Sequence, residues 1–371
     1  MKKSILSLLL SLGAGAALAQ GPPGITQPTA LPPFDPGAAA CQPPPNLKRV
    51  LAFAQDNERQ FMQGVSRGLA LAAQARGLDY RTVLANNDAG RQIEQVRALL
   101  AAQTGAVVSA PVDAPSLARS LQEVIWSGAY VGAVVPPPAT SILNAPQYLT
   151  GRVLGDAAAA HIRTRLGGKA KVVLLTHDSL QFLAPRFAAM RDALKGMPGV
   201  AIVADISPQT VNEAGGRATM ETILLAHATI DVVLGADTVV LGALAALRAA
   251  GKARPDQFLG GIDGEPQAVA EIKKGDSPYK ASVSLASTVF GYAMAQHAAD
   301  WLQGKSIPQG MDILPIALSQ ENIGKYEADF ADPGGVYADP ARRNAYLRMY
   351  GNICYDTRDR YLNFPWSSER K

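Results

Sequence analysis

Five short polar clusters hold the residues of this chain whose types and spacing could do chemistry. They are Gln55-Asp56-Asn57-Glu58-Arg59-Gln60-Phe61, Ala110-Pro111-Val112-Asp113, Thr176-His177-Asp178-Ser179, Gly235-Ala236-Asp237-Thr238 and Asp263-Gly264-Glu265-Pro266. Carboxylates mixed with guanidinium, imidazole and amide groups make charge-assisted and bidentate hydrogen bonds to a small polar molecule, and the same groups can pass protons. The sequence lacks the motifs that would point to catalysis: no G-x-S-x-G elbow, no H-E-x-x-H, no phosphate loop of the P-loop type and no Cys-His constellation. His161, His227 and His297 stand on helical segments without a second ligand at metal spacing. Neither a metal nor a cofactor is expected.

Each cluster follows a short apolar run. Eight such runs read as strands: Arg49 to Ala54, Tyr80 to Leu84, Ala106 to Ser109, Tyr130 to Val135, Lys171 to Leu175, Val200 to Ala204, Asp231 to Leu234 and Phe258 to Ile262. Between them lie helical spacings such as Phe61, Val65, Leu69 and Ile93, Val96, Leu100, ending at Gly77, Gly105 and Gly251. Strands that alternate with helices imply parallel sheets, and continuous rather than alternating apolar runs imply burial on both faces. The irregular stretch Pro136 to Gln147 divides the series, which predicts two open sheets of about four strands rather than one barrel. Open parallel sheets bind ligands beyond the carboxyl ends of their strands. If the two sheets turn those ends toward each other, the polar clusters meet in one cleft.

The 371 residues exceed what one core usually organises, and 48% of them are hydrophobic, which supports two domains. Lys+Arg 35 against Asp+Glu 31 gives a formal +4 with no basic cluster, so no nucleic-acid partner is expected. Met1-Lys2-Lys3, the apolar Ile5 to Leu12 and Ala17-Leu18-Ala19 read as a signal peptide over 1–19, cleaved on export to the periplasm. Residues 20–45, with nine prolines, read as an extended leader too poor in apolar surface to offset its ordering entropy.

The stretch from Asp231 to Gly251 (DVVLGADTVVLGALAALRAAG) and the later Gly261-Ile262-Asp263-Gly264-Glu265-Pro266 resemble the periplasmic sugar-binding proteins of the ribose-binding type, a likeness that covers roughly Asn46 to Gln320. The resemblance implies an α/β fold, the type I periplasmic binding protein: two Rossmann-like lobes with parallel sheets joined by a three-strand hinge. It places an N-terminal lobe at 46–148 plus 286–311 and a C-terminal lobe at 149–285 plus 312–324, followed by a C-terminal extension at 325–371. Crossings are expected near Gln147 to Gly151, Ser284 to Ala286 and Met311 to Ile313. The function implied is a monomeric receptor that closes on a small ligand and delivers it to an inner-membrane ABC permease. A sensor docking on a membrane histidine kinase or chemoreceptor, and an exported enzyme, are the alternatives.

The ligand-reading positions depart from that family. Its sugar binders usually carry an Asp-Arg pair where this chain has Val135-Pro136, an Asn where it has Ala236, and a Gln where it has Leu285. A hydroxyl-poor or partly apolar relative of a sugar fits these replacements, because each buried hydroxyl left unpaired costs ~1–3 kcal/mol. The candidate ligand-binding residues are Gln55, Arg59, Phe61 and Asp113 from the first lobe, with His177, Asp178, Arg186, Asp237 and Asp263 from the second. Asp237 reads equally as a helix N-cap. Cys41 and Cys354, the two cysteines, read as a disulfide between leader and extension, with two unpaired thiols as the alternative. The extension's aromatic density predicts that it packs on the body.

Overall fold

The computed structural model describes residues 21–369 apart from 59, 135–136 and 178–180. The signal segment, Arg59, Asp178 and Val135-Pro136 thus lie outside the described residues. The chain begins with β1 (Lys48–Gln55), α1 (Gln60–Ala75), β2 (Asp79–Leu84), α2 (Ala89–Ala101), β3 (Thr104–Ser109), α3 (Ala114–Trp126), β4 (Tyr130–Val134) and β5 (Ser141–Asn144). It continues with α4 (Gln147–Arg165), β6 (Ala170–Leu175), α5 (Ala184–Leu194), β7 (Val200–Ile206), α6 (Glu213–Ala226) and β8 (Val232–Leu234). Then come α7 (Asp237–Ala249), β9 (Phe258–Asp263), α8 (Pro266–Lys273), β10 (Tyr279–Ser284) and α9 (Ser287–Leu302). Last are β11 (Gly310–Ile313), β12 (Ile316–Leu318), α10 (Ile323–Ala331), α11 (Pro333–Ala338), α12 (Pro340–Tyr346) and β13 (Leu347–Tyr350). No described helix is long and apolar enough to cross a membrane.

The strands form a seven-stranded sheet in the order β13-β11-β5-β4-β3-β1-β2 and a six-stranded sheet in the order β12-β10-β9-β8-β6-β7. All eight apolar runs are strands, yet the sheets are larger than the four-stranded ones expected. Of the additional strands β5, β11, β12 and β13 are short, and β5, β10 and β11 carry Ser, Asn or Asp, so they lack the continuous apolar signal. The stretch Pro136 to Gln147 is not wholly irregular: within it β5 pairs in parallel with β4, Ala133 opposite Ile142, so the chain leaves the first sheet only after Asn144. In the second sheet Val172 and Leu174 face α4 and α5, while Val173 and Leu175 join the residues packed under α6 and α7. This two-faced burial is what the continuous apolar runs encode. In the first lobe α1 and α9 cross at backbone contact. A Cβ on Gly68 would collide with the Thr288 carbonyl, and one on Gly291 with that of Val65.

The lobes are linked where β5 runs into α4, where β10 runs into α9, and where β11 runs into β12. β5 and β11 run parallel to β1–β4 in the first sheet, and β10 runs parallel to β6–β9 in the second, so each of these passages leaves a carboxyl edge. The carboxyl edges of both sheets therefore adjoin the hinge. Ala286, at the second passage, sits in the left-handed region at φ 41°. The extension adds a fourth passage. α10 lies on the second lobe, where Tyr326 OH meets Ser284 Oγ at 2.6 Å, whereas α11 returns to the first, with Tyr337 against Tyr292. β13 then pairs antiparallel with β11.

The leader is not free-standing. The Ile25 N–H donates to the Tyr361 carbonyl at 2.8 Å, that of Gly351 to Pro32 at 2.7 Å and that of Cys41 to Gly304 at 2.7 Å. A Cys41–Cys354 disulfide, Cα atoms 6.0 Å apart, ties it to the extension. Composition alone misleads here because the ordering is supplied from outside, by bonds to segments far along the chain.

His297 of α9 is 2% exposed beside Tyr337, and neither ring nitrogen has a hydrogen-bond partner among the described residues. Burial lowers its pKa to about 4, only partly opposed by Asp300, and Arg343 lowers it further. Between about pH 4 and the unfolded value near 6.5 the native state binds fewer protons than the unfolded chain. This group's stabilising contribution is therefore present above pH 6.5 and lost as pH falls toward 4. Subtracting the stability curve of His297→Leu from that of the wild-type chain, by urea unfolding at several pH values, should reveal that slope. A difference independent of pH would refute it.

Candidate functional site

The chain order puts a topological switch in each sheet: β1 lies between β2 and β3, and β6 lies between β7 and β8. Connections leave in opposite directions at such a point and open a crevice at the carboxyl ends. The loops around these two crevices hold most of the candidate residues.

On the second lobe Arg186, in α5, is 7% exposed, and its Nε donates to Oε1 of Gln147 at 2.9 Å. Burial lowers the guanidinium's pKa and the nearby Asp263 charge opposes that shift. Gln147 is the first residue of α4, so the arginine is held by the helix that carries the chain out of the hinge. Asp263 ends β9 at φ 124°, a region disfavoured for a residue with a Cβ. Its position is imposed from below. The Gly264 N–H donates to Ser282 Oγ at 3.0 Å, and Ser282 Oγ donates to Asp237 Oδ2 at 2.6 Å. The Glu265 N–H donates to the same oxygen at 2.8 Å, while Tyr279 OH donates to Asp237 Oδ1 at 2.7 Å.

Asp237 is thus a buried anchor, 0% exposed, with both oxygens engaged by the protein. This corrects its placement among ligand contacts and equally its reading as an N-cap, because the cap residue of α7 is Ala236. Burial, the largest influence, lifts its pKa to about 7 despite the three donors. Glu265, half-buried above it, is also lifted to about 7, by burial first and then by Asp237, Asp263 and Glu213.

On the first lobe the loop after β1 is internally bonded. Gln55 Nε2 donates to the Asn57 carbonyl, and Asp56 accepts from the Asn57 N–H at 2.8 Å. Asn57 Nδ2 reaches Asn87 Oδ1 at 3.1 Å, which joins this loop to the one after β2. Phe61, half-buried at the start of α1, lies 5.7 Å from Phe290 of α9. Asp113 is the N-cap of α3: its Oδ2 accepts from the Ser116 N–H at 2.9 Å, and hydrogen bonding to Ser116, through its side chain first and then its backbone, lowers the carboxyl pKa. This exposed residue therefore has a structural role as a helix cap. His177 is half-buried just past β6.

The structure therefore gathers Arg186 and Asp263 at one strand-end cluster and keeps Gln55 and Phe61 on the facing lobe. Sequence reasoning passed over Gln147, Glu265 and the Ser282–Tyr279 support. Glu265 was legible, directly after Asp263-Gly264 at a strand end, whereas the support pair sits on β10, which carried no strand signal. Leu285 is buried at the second passage and Ala236 offers only a methyl group. No group of three or more His, Cys, Asp or Glu among the described residues could hold a metal ion.

A family model described as a periplasmic binding protein domain matches residues 50–306. The ribose import binding protein RbsB of Bacillus subtilis (strain 168) is 28% identical over 272 residues, 70% of this chain and 83% of that protein. A solute-binding protein of an ABC transporter from Bacillus halodurans C-125, solved with myo-inositol, superposes with a TM-score of 0.65 at 20% identity, covering 76% of this chain and 98% of that one. A Mycobacterium smegmatis protein in complex with β-D-fucofuranose superposes at 0.67 and 21% identity, covering 81% and 99%. At these identities the solved structures speak for the fold.

Proposed function

Because the chain belongs to the periplasmic binding protein domain family, we propose that it is a solute receptor, exported by a cleaved signal peptide, that closes two lobes on a sugar-like ligand and hands it to an ABC importer in the inner membrane. The observation that supports this reading is the hinge geometry: the three passages that follow strands, β5 to α4, β10 to α9 and β11 to β12, each leave a carboxyl edge, the edge at which Arg186, Asp263 and the loop after β1 are found. A ligand touching both lobes shifts the open and closed populations by its differential affinity for the closed state. We place Arg186, Asp263, Glu265 and His177 on one wall, with Gln55 and Phe61 on the other; Arg59 and Asp178, outside the described residues, stay candidate ligand contacts from the sequence. Asp113 and Asp237 support the walls without touching ligand. Glu265, held near neutrality, suits a hydroxyl group as either donor or acceptor. The protein is a binder without chemistry of its own and acts as a monomer.

A thermal-shift screen over myo-inositol, D-allose, ribose, glycerol and hydroxyl-poor relatives tests this. A ligand at a hundred times its Kd stabilises the fold by about 2.7 kcal/mol through mass action. At least one compound should raise Tm in a concentration-dependent way, and a flat screen would count against the receptor reading. Buried Leu285 and the bare Ala236 predict that the best compound has fewer hydroxyls than a free pentose or hexose. Submicromolar binding of unmodified ribose would overturn that preference while leaving the receptor intact.

A further inference from the structure

The last described residues lie across the hinge. Trp366 is buried on Gly310 of β11 and packs against Tyr350 of β13 with ring centroids 5.2 Å apart, which fixes the segment to the first lobe. Ser367 Oγ stands 3.5 Å from Asn144 Nδ2, at the end of β5, and Asn144 Nδ2 also donates to Asp312 Oδ1 of β11 at 2.7 Å. Ser368 adds a hydrogen bond to Asp312. One residue on, Glu369 reaches the other lobe. Its Oε1 accepts from the Leu149 N–H at 2.8 Å and its Oε2 from the Tyr148 N–H at 3.2 Å. These are the first N–H groups of α4, which a helix leaves unsatisfied. The residue before α4, Pro146, supplies no side-chain cap, so the cap comes from the far end of the chain. A carboxylate there also complements the positive end of the helix dipole.

We propose that residues 366–369 form a strap over the hinge, which fixes the angle at which α4 leaves β5 and so biases the balance between open and closed lobes. The strap joins the ends of β5 and β11 on one side to the first turn of α4 on the other, and those are two of the passages about which the lobes turn. That same turn presents Gln147, which holds Arg186. The strap thus acts on the binding site without touching ligand. The inference rests on the two-lobed receptor reading only in taking the lobes to move.

The test needs no ligand. The described residues include no free cysteine, so spin labels can be placed at Arg67→Cys on α1 and Gln267→Cys on α8, both exposed. The interlobe distance distribution is then compared for the full chain, for Glu369→Ala and for a chain ending at Trp366, with Tm recorded for each. Ending the chain there keeps the buried Phe364 and Trp366. The distribution should shift or broaden in Glu369→Ala beyond the width of the full chain, more so in the shortened chain, with Glu369→Gln, which keeps an acceptor oxygen, in between. An unchanged distribution in both variants would overturn the strap. So would a fall in Tm with an unchanged distribution, since that result describes an edge brace and not a control on the hinge. Failure of the ligand screen would leave this outcome untouched.

Discussion

Cys354→Ser is expected to lower the unfolding free energy by about 5 kcal/mol, the largest single effect anticipated in this chain. The bridged residues are 313 positions apart, and the chain-entropy model assigns roughly this amount to a loop of hundreds of residues. Little else replaces the constraint. The leader makes its other bonds through isolated bridges, Ile25 with Leu362 and Pro33 with Tyr350, through single backbone hydrogen bonds, and through scattered side-chain bonds such as those of Trp126 and Tyr361 to Pro22 and of Asn352 to Asp35. Without the bridge these bonds must bear the ordering entropy of a proline-rich segment with almost no buried apolar side chains. The urea midpoint should fall, and residues 21–46 should become sensitive to protease before the lobes do. Cys41→Ser should match Cys354→Ser, and the double variant should add nothing. An unchanged midpoint in the single variants would show that the bridge stabilises nothing, as would full stability of the wild-type chain under reductant.

Arg186→Ala and Asp263→Asn should each weaken ligand binding by roughly 10-fold to 150-fold, the range that follows from a charge-assisted hydrogen bond worth ~1.5–3 kcal/mol. Asn is chosen at position 263 because it matches the shape of the aspartate that adopts φ 124° there and removes only its charge. Removing the guanidinium takes away the positive charge beside Asp263, leaving that carboxylate among Asp237 and Glu265. Ligand would then meet an uncompensated acidic wall. Titration calorimetry with the best compound of the screen, next to circular dichroism to confirm folding, separates lost contacts from lost structure. Wild-type affinity in both folded variants would remove this pair from the site.

The sequence made the parallel architecture readable because a strand buried on both faces must be apolar throughout, and β1, β3, β6 and β9 are. β10 and β11 were not readable for the opposite reason. Ser282 and Asp312 sit in strands whose polar side chains are satisfied by partners far along the chain, Asp237 and Asn144. Local composition cannot report such a partner. At the site, reasoning from strand ends reached Asp263, and the family likeness reached Arg186. It erred on Asp237 because an aspartate at a strand end or helix start looks the same whether it faces a ligand, caps a helix or anchors a loop from beneath. Only burial and bond geometry tell these apart. The leader's order had no local signal at all, since its partners are Tyr361, Gly351 and Gly304.

The placement of β11 and β13 bears on how the molecule matures. A polypeptide emerges from its N-terminus, and its elements become available in that order. β1 to β5 are made first, yet their sheet stays open at β5 until β11 arrives some 165 positions later, and β13 closes it only near residue 350. Until then the first lobe presents a bare strand edge, which invites pairing with another chain. The second lobe has no such delay, since β6 to β10 follow one another without interruption and lack only the short β12. The half made second is therefore the half able to fold first, and the earliest residues, joined to the latest through Cys41, are among the last to find their places.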